Sequence, residues 1–238
     1  MKLALLGYGK MGKMIEKVAL ERGHEIKLVV DIHNAQDLNP ENLGKVDVAI
    51  DFTTPDVAYR NIMACFSADK PVVSGTTGWL EKWDTVVKYC KENNQTLFYA
   101  SNFSPGVNVF FHTNRKLAQL MNQFDNYEAT IEEIHHIHKL DAPSGTAITL
   151  ALDIVSLVDR KKRWELNKTA DNESIKITAL REDEIPGTHI ITWESEEDMI
   201  EIKHVAKGRR GFAVGAVLAA EFLSGKKGIF TMDDLLQL

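Results

Sequence analysis

The chain of 238 residues is 44% hydrophobic and 26% charged, with only six prolines and fifteen glycines. Those proportions exclude wholesale disorder and collagen-like architecture, and the length allows one large domain or two small ones. A formal net charge of −6 gives no electrostatic reason to expect nucleic acid, though it does not forbid an anionic ligand held by local fields.

Short apolar runs alternate with helical periods through the first hundred residues. Lys2–Leu6 reads as a strand, followed by a helix over Met11–Glu21 with apolar residues at Met11, Met14, Ile15, Val18 and Ala19. Glu25–Asp31 and Val46–Phe52 are further strands, and Pro55 opens a helix reaching Phe66, since proline suits a first helical turn. A strand at Pro71–Ser74, a helix at Leu80–Glu92 and a strand at Thr96–Ala100 complete the series. Continuous apolar strands separated by helices mean a parallel sheet covered on both faces, a Rossmann-like doubly wound α/β domain. Beyond Asn102 the pattern becomes α+β with a mixed sheet. It has helices at Val107–Phe124 and Ser144–Arg160, and strands at Glu128–His136, Ser174–Leu180, His189–Glu194 and Met199–His204. The charged run Arg160–Arg163 reads as a solvated helix end, and a last helix, Ala213–Leu223, precedes a glycine-rich turn and a short tail.

Cys65 and Cys90 lie in apolar-periodic stretches and read as reduced, buried thiols rather than a disulfide framework. No window approaches the ~20 apolar residues of a membrane span. The opening MKLALLGYGKMG is broken by glycine too early for a signal peptide, so the expected compartment is the cytoplasm.

The first chemical signal is Gly7-Tyr8-Gly9-Lys10-Met11-Gly12, set between a strand and a helix. Gly7 permits a tight turn, Gly9 lets the backbone approach a pyrophosphate, and Gly12 lets helix and strand pack closely. The helix N-terminus offers unpaired N–H groups and partial positive charge. Asp31 ends the second strand 19 residues after Gly12, where a carboxylate accepts from a ribose hydroxyl. No arginine follows Asp31 to hold a 2′-phosphate, which leans toward NADH, while Lys10 in the loop leaves NADPH open. Phe52 and Thr53 at one strand end, and Gly75-Thr76-Thr77-Gly78 at the next, face the reactive half of such a cofactor.

The second signal is Glu132-Glu133-Ile134-His135-His136-Ile137-His138-Lys139, running into Leu140-Asp141-Ala142-Pro143-Ser144-Gly145-Thr146-Ala147. Histidines and a lysine leaving a strand offer proton carriers, and Ser144, Gly145 and Thr146 open a helix whose hydroxyls and bare N–H groups suit a carboxylate. His136 and His138 on one strand face invite a metal. No cysteine or suitably spaced carboxylate completes a ligand set, so no metal is expected.

On these motifs the chain resembles the 4-hydroxy-tetrahydrodipicolinate reductase (dihydrodipicolinate reductase) family, essentially end to end. The resemblance rests on GYGKMG at 7–12, DFTTP at 51–55, GTTG at 75–78, ASNFSPGVN at 100–108, EEIHHIHKLDAPSGTA at 132–147 and RRGFAVGAVLAAEFL at 209–223. Thr130 departs from the family's glutamate without touching the catalytic positions. The resemblance implies an NADH- or NADPH-dependent reduction of a cyclic unsaturated dicarboxylate in lysine and diaminopimelate biosynthesis. His135 matches the family's general acid or base, and Lys139 its second proton donor. His136 would lie beside the substrate, Ser144, Gly145 and Thr146 would hold one carboxylate, and Arg209 would assist. Ser101, Asn102 and Phe103, with Lys10 and Met11, join the cofactor set. The family's architecture implies a dinucleotide-binding domain of 1–103 and 211–238, a substrate-binding domain of 104–210 inserted into it, and a homotetramer. Two competing readings are a related two-domain amino-acid dehydrogenase, which calls for a different substrate motif, and a nucleotide-sensing module, which has no use for Lys139 beside the SGT turn.

Overall fold

The structure, a computed structural model, describes residues 1–168 and 171–238. The chain divides into two compact units, Met1–Pro105 with Arg209–Leu238, and Gly106–Gly208.

The first unit runs β1 (Lys2–Leu6), α1 (Lys10–Glu21), β2 (Glu25–Val30), a short α2 (Pro40–Leu43), β3 (Val48–Asp51), α3 (Pro55–Ser67), β4 (Val72–Ser74), α4 (Trp83–Glu92) and β5 (Thr96–Tyr99). Proline occupies the first turn of α3, where its missing N–H has no intrahelical partner to lose. All pairings in the resulting sheet are parallel, in the order β11-β5-β4-β3-β1-β2, where β11 is Gly228–Phe230. Both faces are covered. Ile15 and Val18 of α1 pack with Ala216 and Val217 on one side, and Ala58, Ile62 and Phe66 of α3 pack with Val86 and Cys90 on the other. This burial on both sides is what the unbroken apolar strands require. The strands' carboxyl ends therefore carry the loops at 7–12, 31–38, 52–55 and 75–79 to one edge of the sheet.

The second unit holds α5 (Pro105–Met121), β6 (Glu128–His135), α6 (Gly145–Leu157), β7 (Arg163–Leu166), β8 (Ser174–Arg181), β9 (Thr188–Glu194) and β10 (Met199–Val205). Its sheet is mixed: in the order β10-β9-β6-β8-β7, β6 and β7 run parallel to β8 while β9 is antiparallel to β6 and β10. One face is packed by α5 and α6 around Ile131, Ile177, Ile191 and the fully buried Trp193. α7 (Arg210–Phe222) then returns the chain to the first unit, followed by β11 and α8 (Met232–Leu236).

Two local expectations are corrected. Arg160–Arg163 is not a solvated helix end: Lys161 is 1% exposed, pairs with Glu128 and donates to the carbonyls of Asn172 and Ser174. Arg163 begins β7, so the run anchors an edge strand that sequence patterning did not show. The C-terminal tail likewise adds β11 to the first sheet, because the Gln95 carbonyl accepts from Gly228 N–H and the Lys226 carbonyl from the Thr96 hydroxyl.

Candidate active site

In the first unit, the loop after β1 leaves no room for a side chain at Gly7 or Gly12. Gly7 sits at φ +90°, and a Cβ at Gly12 would fall 2.1 Å from the Gly7 carbonyl oxygen. The crowding at Gly12 is thus against the loop itself. α1 begins with no side-chain cap and no acidic residue in its first turn, so its leading N–H groups stay available to an anion. Lys10 stands exposed at the helix start. Beside the loop lies a cavity of about 640 Å³, lined by Gly7, Gly9, Asp31, His33, Phe52 and Thr53 among others. Asp31 is held in a fixed turn, its Oδ1 accepting the His33 N–H at 2.8 Å and its own N–H donating to Asn34 Oδ1 at 2.7 Å. A cation that sequence order concealed reaches the same cavity: Arg60, from the second turn of α3. A smaller neighbouring cavity brings together Met11, Phe52, Thr53, Gly75, Thr76 and Thr77.

Beneath these loops sits Asp51, fully buried at the end of β3. Its carboxylate accepts from Thr53 Oγ1 (2.8 Å), Asn61 Nδ2 (2.9 Å), Ser74 Oγ (3.1 Å) and Thr76 Oγ1 (2.8 Å). Burial pushes its pKa above the usual carboxylate range, and the four hydrogen bonds pull against that rise. Thr76 also accepts the Thr53 N–H at 2.8 Å, so its hydroxyl ties the two loops together rather than facing outward. The Thr76 carbonyl in turn accepts the Trp79 indole N–H at 2.7 Å. Phe103, expected in the cofactor set, has its ring in the core at 2% exposure, so any ligand contact there goes through backbone; Asn102 Oδ1 accepts the Ser104 N–H, and Ser101 is exposed. Arg209 is exposed at the N-cap of α7 and belongs to the first unit, whereas Ser144, Gly145 and Thr146 belong to the second.

In the second unit, alternation along β6 turns Ala129, Ile131, Glu133 and His135 inward. Register then assembles the cluster, with His189 of β9 paired opposite Glu133 and Arg181 of β8 beside His135. Glu133 is fully buried, and its two oxygens accept the Ser144 N–H at 3.0 and 3.1 Å. Arg181 Nη2 donates to Glu133 Oε1 at 3.1 Å, and the same guanidinium holds the carbonyls of Lys139 (3.3 Å) and Asp141 (2.5 Å). His135 Nδ1 lies 3.4 Å and His189 Nε2 3.7 Å from Glu133 Oε2. Lys139 Nζ donates to both oxygens of Asp141, at 2.7 and 2.8 Å, and its ammonium holds the Asp141 carboxyl below the usual range.

Burial lowers the pKa of His135, against the pull of Glu133, and pushes that of His189 down to about 3. Both imidazoles are therefore mainly neutral near pH 7. The Ser144 hydroxyl caps α6 by accepting the Ala147 N–H and meets His189 Nε2 at 3.2 Å. With its N–H and hydroxyl engaged, Ser144 builds the turn, and Gly145 and Thr146 present the first-turn N–H groups of α6. His136 is half-buried beside this cluster, and His138 pairs with Glu184 at the surface. Glu133, His135 and His189 bring donor atoms within 4.8 Å of one another, a carboxylate–imidazole grouping that spacing along the sequence did not show. The carboxylate is already engaged by a guanidinium and an N–H, so the grouping works as a charge network. The sequence signal for Glu133 was its inward parity with Ile131 and His135; Arg181 and His189 depended on strand pairing.

The family model for the dihydrodipicolinate reductase N-terminus matches residues 1–103, and that for its C-terminus matches residues 106–236. The chain is 53% identical over 238 residues to 4-hydroxy-tetrahydrodipicolinate reductase of Christiangramia forsetii, covering 99% of this chain and 98% of that protein. It is 32% identical over 234 residues to the enzyme of that name from Neisseria gonorrhoeae, covering 94% and 84%. Among solved structures it resembles dipicolinate-bound dihydrodipicolinate reductase from Paenisporosarcina sp. TG-14, with a TM-score of 0.78, 25% identity and 97% of each chain covered.

Proposed function

The chain belongs to the dihydrodipicolinate reductase family, and we propose that it catalyses the NAD(P)H-dependent reduction of 4-hydroxy-tetrahydrodipicolinate, via dihydrodipicolinate, to tetrahydrodipicolinate. That places it in lysine and diaminopimelate biosynthesis, and we place it in the cytoplasm as a homotetramer. No helix among the described residues is long and apolar enough to cross a membrane.

The first unit fits a dinucleotide. The loop leaves no room for a side chain at Gly7 or Gly12, α1 opens uncapped, and the loop borders a cavity of about 640 Å³. Gly7, Gly9, Lys10, Met11 and Gly12 would hold the pyrophosphate, and Asp31 the adenosine ribose hydroxyls. Phe52, Thr53, Gly75, Thr76, Thr77 and Gly78, with Ser101, Asn102 and Phe103 through backbone, would frame the nicotinamide half. Asp31 favours NADH. Arg60, lining the same cavity, supplies a cation for the 2′-phosphate of NADPH, so both forms have a recognising group. The bound nicotinamide supplies hydride.

The second unit supplies the acid. Hydride addition to a conjugated imine builds negative charge that a proton must quench. Lys139 holds an ammonium oriented by Asp141, and His135 is the buried imidazole beside it. A dicarboxylate bound at the Gly145–Thr146 N–H groups, with His136 alongside, adds negative charge near His135 and raises its pKa, so that it takes up and passes on a proton. The observation that carries this reading is the Glu133–His135–Ser144 contact set, which puts a titratable imidazole and a carboxylate-binding helix start on one buried residue. The test is nicotinamide oxidation with the substrate generated in situ by the preceding synthase. Turnover that depends on substrate and collapses in Lys139→Ala supports the reading. Absent turnover, or turnover indifferent to that substitution, sinks it.

A further inference from the structure

Glu133 neither gives nor takes the proton in the transfer just described, yet it meets Ser144, Arg181, His135 and His189. It is fully buried, and each of its contacts leads to a different working part. Ser144 N–H leads to the start of α6, Arg181 to the Lys139–Asp141 loop, and His135 Nδ1 to the proton carrier. A buried carboxylate is costly unless its charge is matched, and here one guanidinium and two imidazoles surround it.

The two nitrogens of His135 have unlike surroundings. Nδ1 is buried, has no hydrogen-bond partner among the described residues, and lies 3.4 Å from Glu133 Oε2. The charged groups facing this imidazole are Glu133 on its own strand, Lys139 and Asp141 on the following loop, and Arg181 on β8, with the His189 ring 5.1 Å away on β9. Glu133 is thus the carboxylate nearest to Nδ1 among the described residues. On the other side of the ring, a Cβ at Gly187 would fall 3.0 Å from Nε2, and Gly187 has φ +154°. The absent side chain keeps that nitrogen clear.

We infer that Glu133 is the positioning residue that fixes His135 with its proton on Nδ1, leaving Nε2, beside Gly187, as the atom that takes up and delivers the proton. A carboxylate on one imidazole nitrogen sets the tautomer and raises the basicity of the other. The 3.4 Å separation is electrostatic contact rather than a closed hydrogen bond, and such contacts tighten when substrate binds. Because Glu133 also holds Ser144, the same carboxylate ties the orientation of His135 to the start of the helix that receives the substrate carboxylate. This inference rests on the proposed role of His135, and the experiment separates the two.

The experiment is nitrogen-15 imidazole spectroscopy of the full-length protein, assigned to His135 with a His135→Gln control, in wild type and Glu133→Gln. Wild type is expected to show neutral His135 protonated on Nδ1. In Glu133→Gln the amide NH2 donates to Nδ1 instead of accepting from it. The tautomer then shifts toward Nε2–H, and the His135 titration midpoint falls by about one pH unit. In parallel, kcat is expected to fall about tenfold or more with cofactor affinity unmoved, and its proton-dependent limb to move to lower pH. An Nε2–H tautomer in wild type overturns the inference and needs no variant to fold. An unchanged tautomer and midpoint in a folded Glu133→Gln overturns it equally. If the midpoint shifts while the kcat profile stays put, Glu133 still positions the ring, and the proton-carrying role of His135 is what fails.

Discussion

Each unit is organised around one fully buried carboxylate at or near the end of a strand, Asp51 on β3 and Glu133 on β6. Their partners differ in kind. Asp51 accepts only from neutral donors, three hydroxyls and an amide, all on the segments that frame the dinucleotide cavities. Glu133 is met by an arginine, two imidazoles and one backbone N–H. Neutral partners that do not titrate make a scaffold whose state is fixed across ordinary pH. Titratable partners make a centre whose charge distribution responds to a ligand. On the proposed function, the difference gives rigidity to the nucleotide half and proton chemistry to the substrate half.

The widest break in that comparison comes from the proposed proton carriers. His135→Ala and Lys139→Ala are each expected to lower kcat about 10²–10⁴-fold while leaving the cofactor Kd, measured by nicotinamide fluorescence, at its wild-type value. Equal losses in both quantities erase the division of labour. In the nucleotide half, Gly12→Ala forces a Cβ to within 2.1 Å of the Gly7 carbonyl oxygen. We expect about 1–3 kcal/mol of destabilisation in chemical unfolding together with weakened nucleotide binding, and a neutral outcome breaks the cradle argument.

Acid sharpens the contrast through opposite signs. His189, its folded pKa pushed down to about 3 by burial and by neighbouring positive charge, refuses a proton that the unfolded chain accepts near pH 6.5. The unfolded state then binds more protons, so this contribution to stability is lost as pH falls from about 6.5 toward 3. Asp51, raised by burial, holds a proton more readily folded than unfolded, so its contribution grows as pH falls. Amide exchange in β9 should therefore accelerate on mild acidification before that in β3, and His189→Gln should flatten the β9 response. Simultaneous loss in both strands contradicts the assignment. The smallest effect concerns cofactor choice. Asp31→Ala weakens NADH more than NADPH, and Arg60→Ala weakens NADPH by about fivefold, the scale of one exposed ion pair. Matching responses of the two cofactors to each variant remove both residues from the ribose site.

Much of this was legible along the chain. The parallel sheet followed from apolar runs separated by helical periods, and the segments that build the two proposed sites stood out by glycine spacing or clustered histidines. What escaped lay in relations between strands. Glu133 was in plain view in EEIHHIH, but its neighbours Arg181 and His189 are brought in by register, 48 and 56 residues away. Arg60 carries no signal along the chain because it lies 29 residues beyond Asp31, whereas α3 turns it into the same cavity. Lys161 looked like surface charge because a buried lysine is rare, and its partners come from β6 and the approach to β8. Ser144 was read as a ligand for substrate, yet its polar groups are taken up by the turn they build.

Asp51→Asn and Glu133→Gln, measured side by side for cofactor Kd and for kcat at saturating cofactor, test the central claim most directly. The account predicts a crossed result. Asp51→Asn should weaken the cofactor and leave kcat close to wild type, while Glu133→Gln should lower kcat about tenfold or more and leave the cofactor Kd unmoved. Two variants that lose both quantities in the same proportion would contradict it.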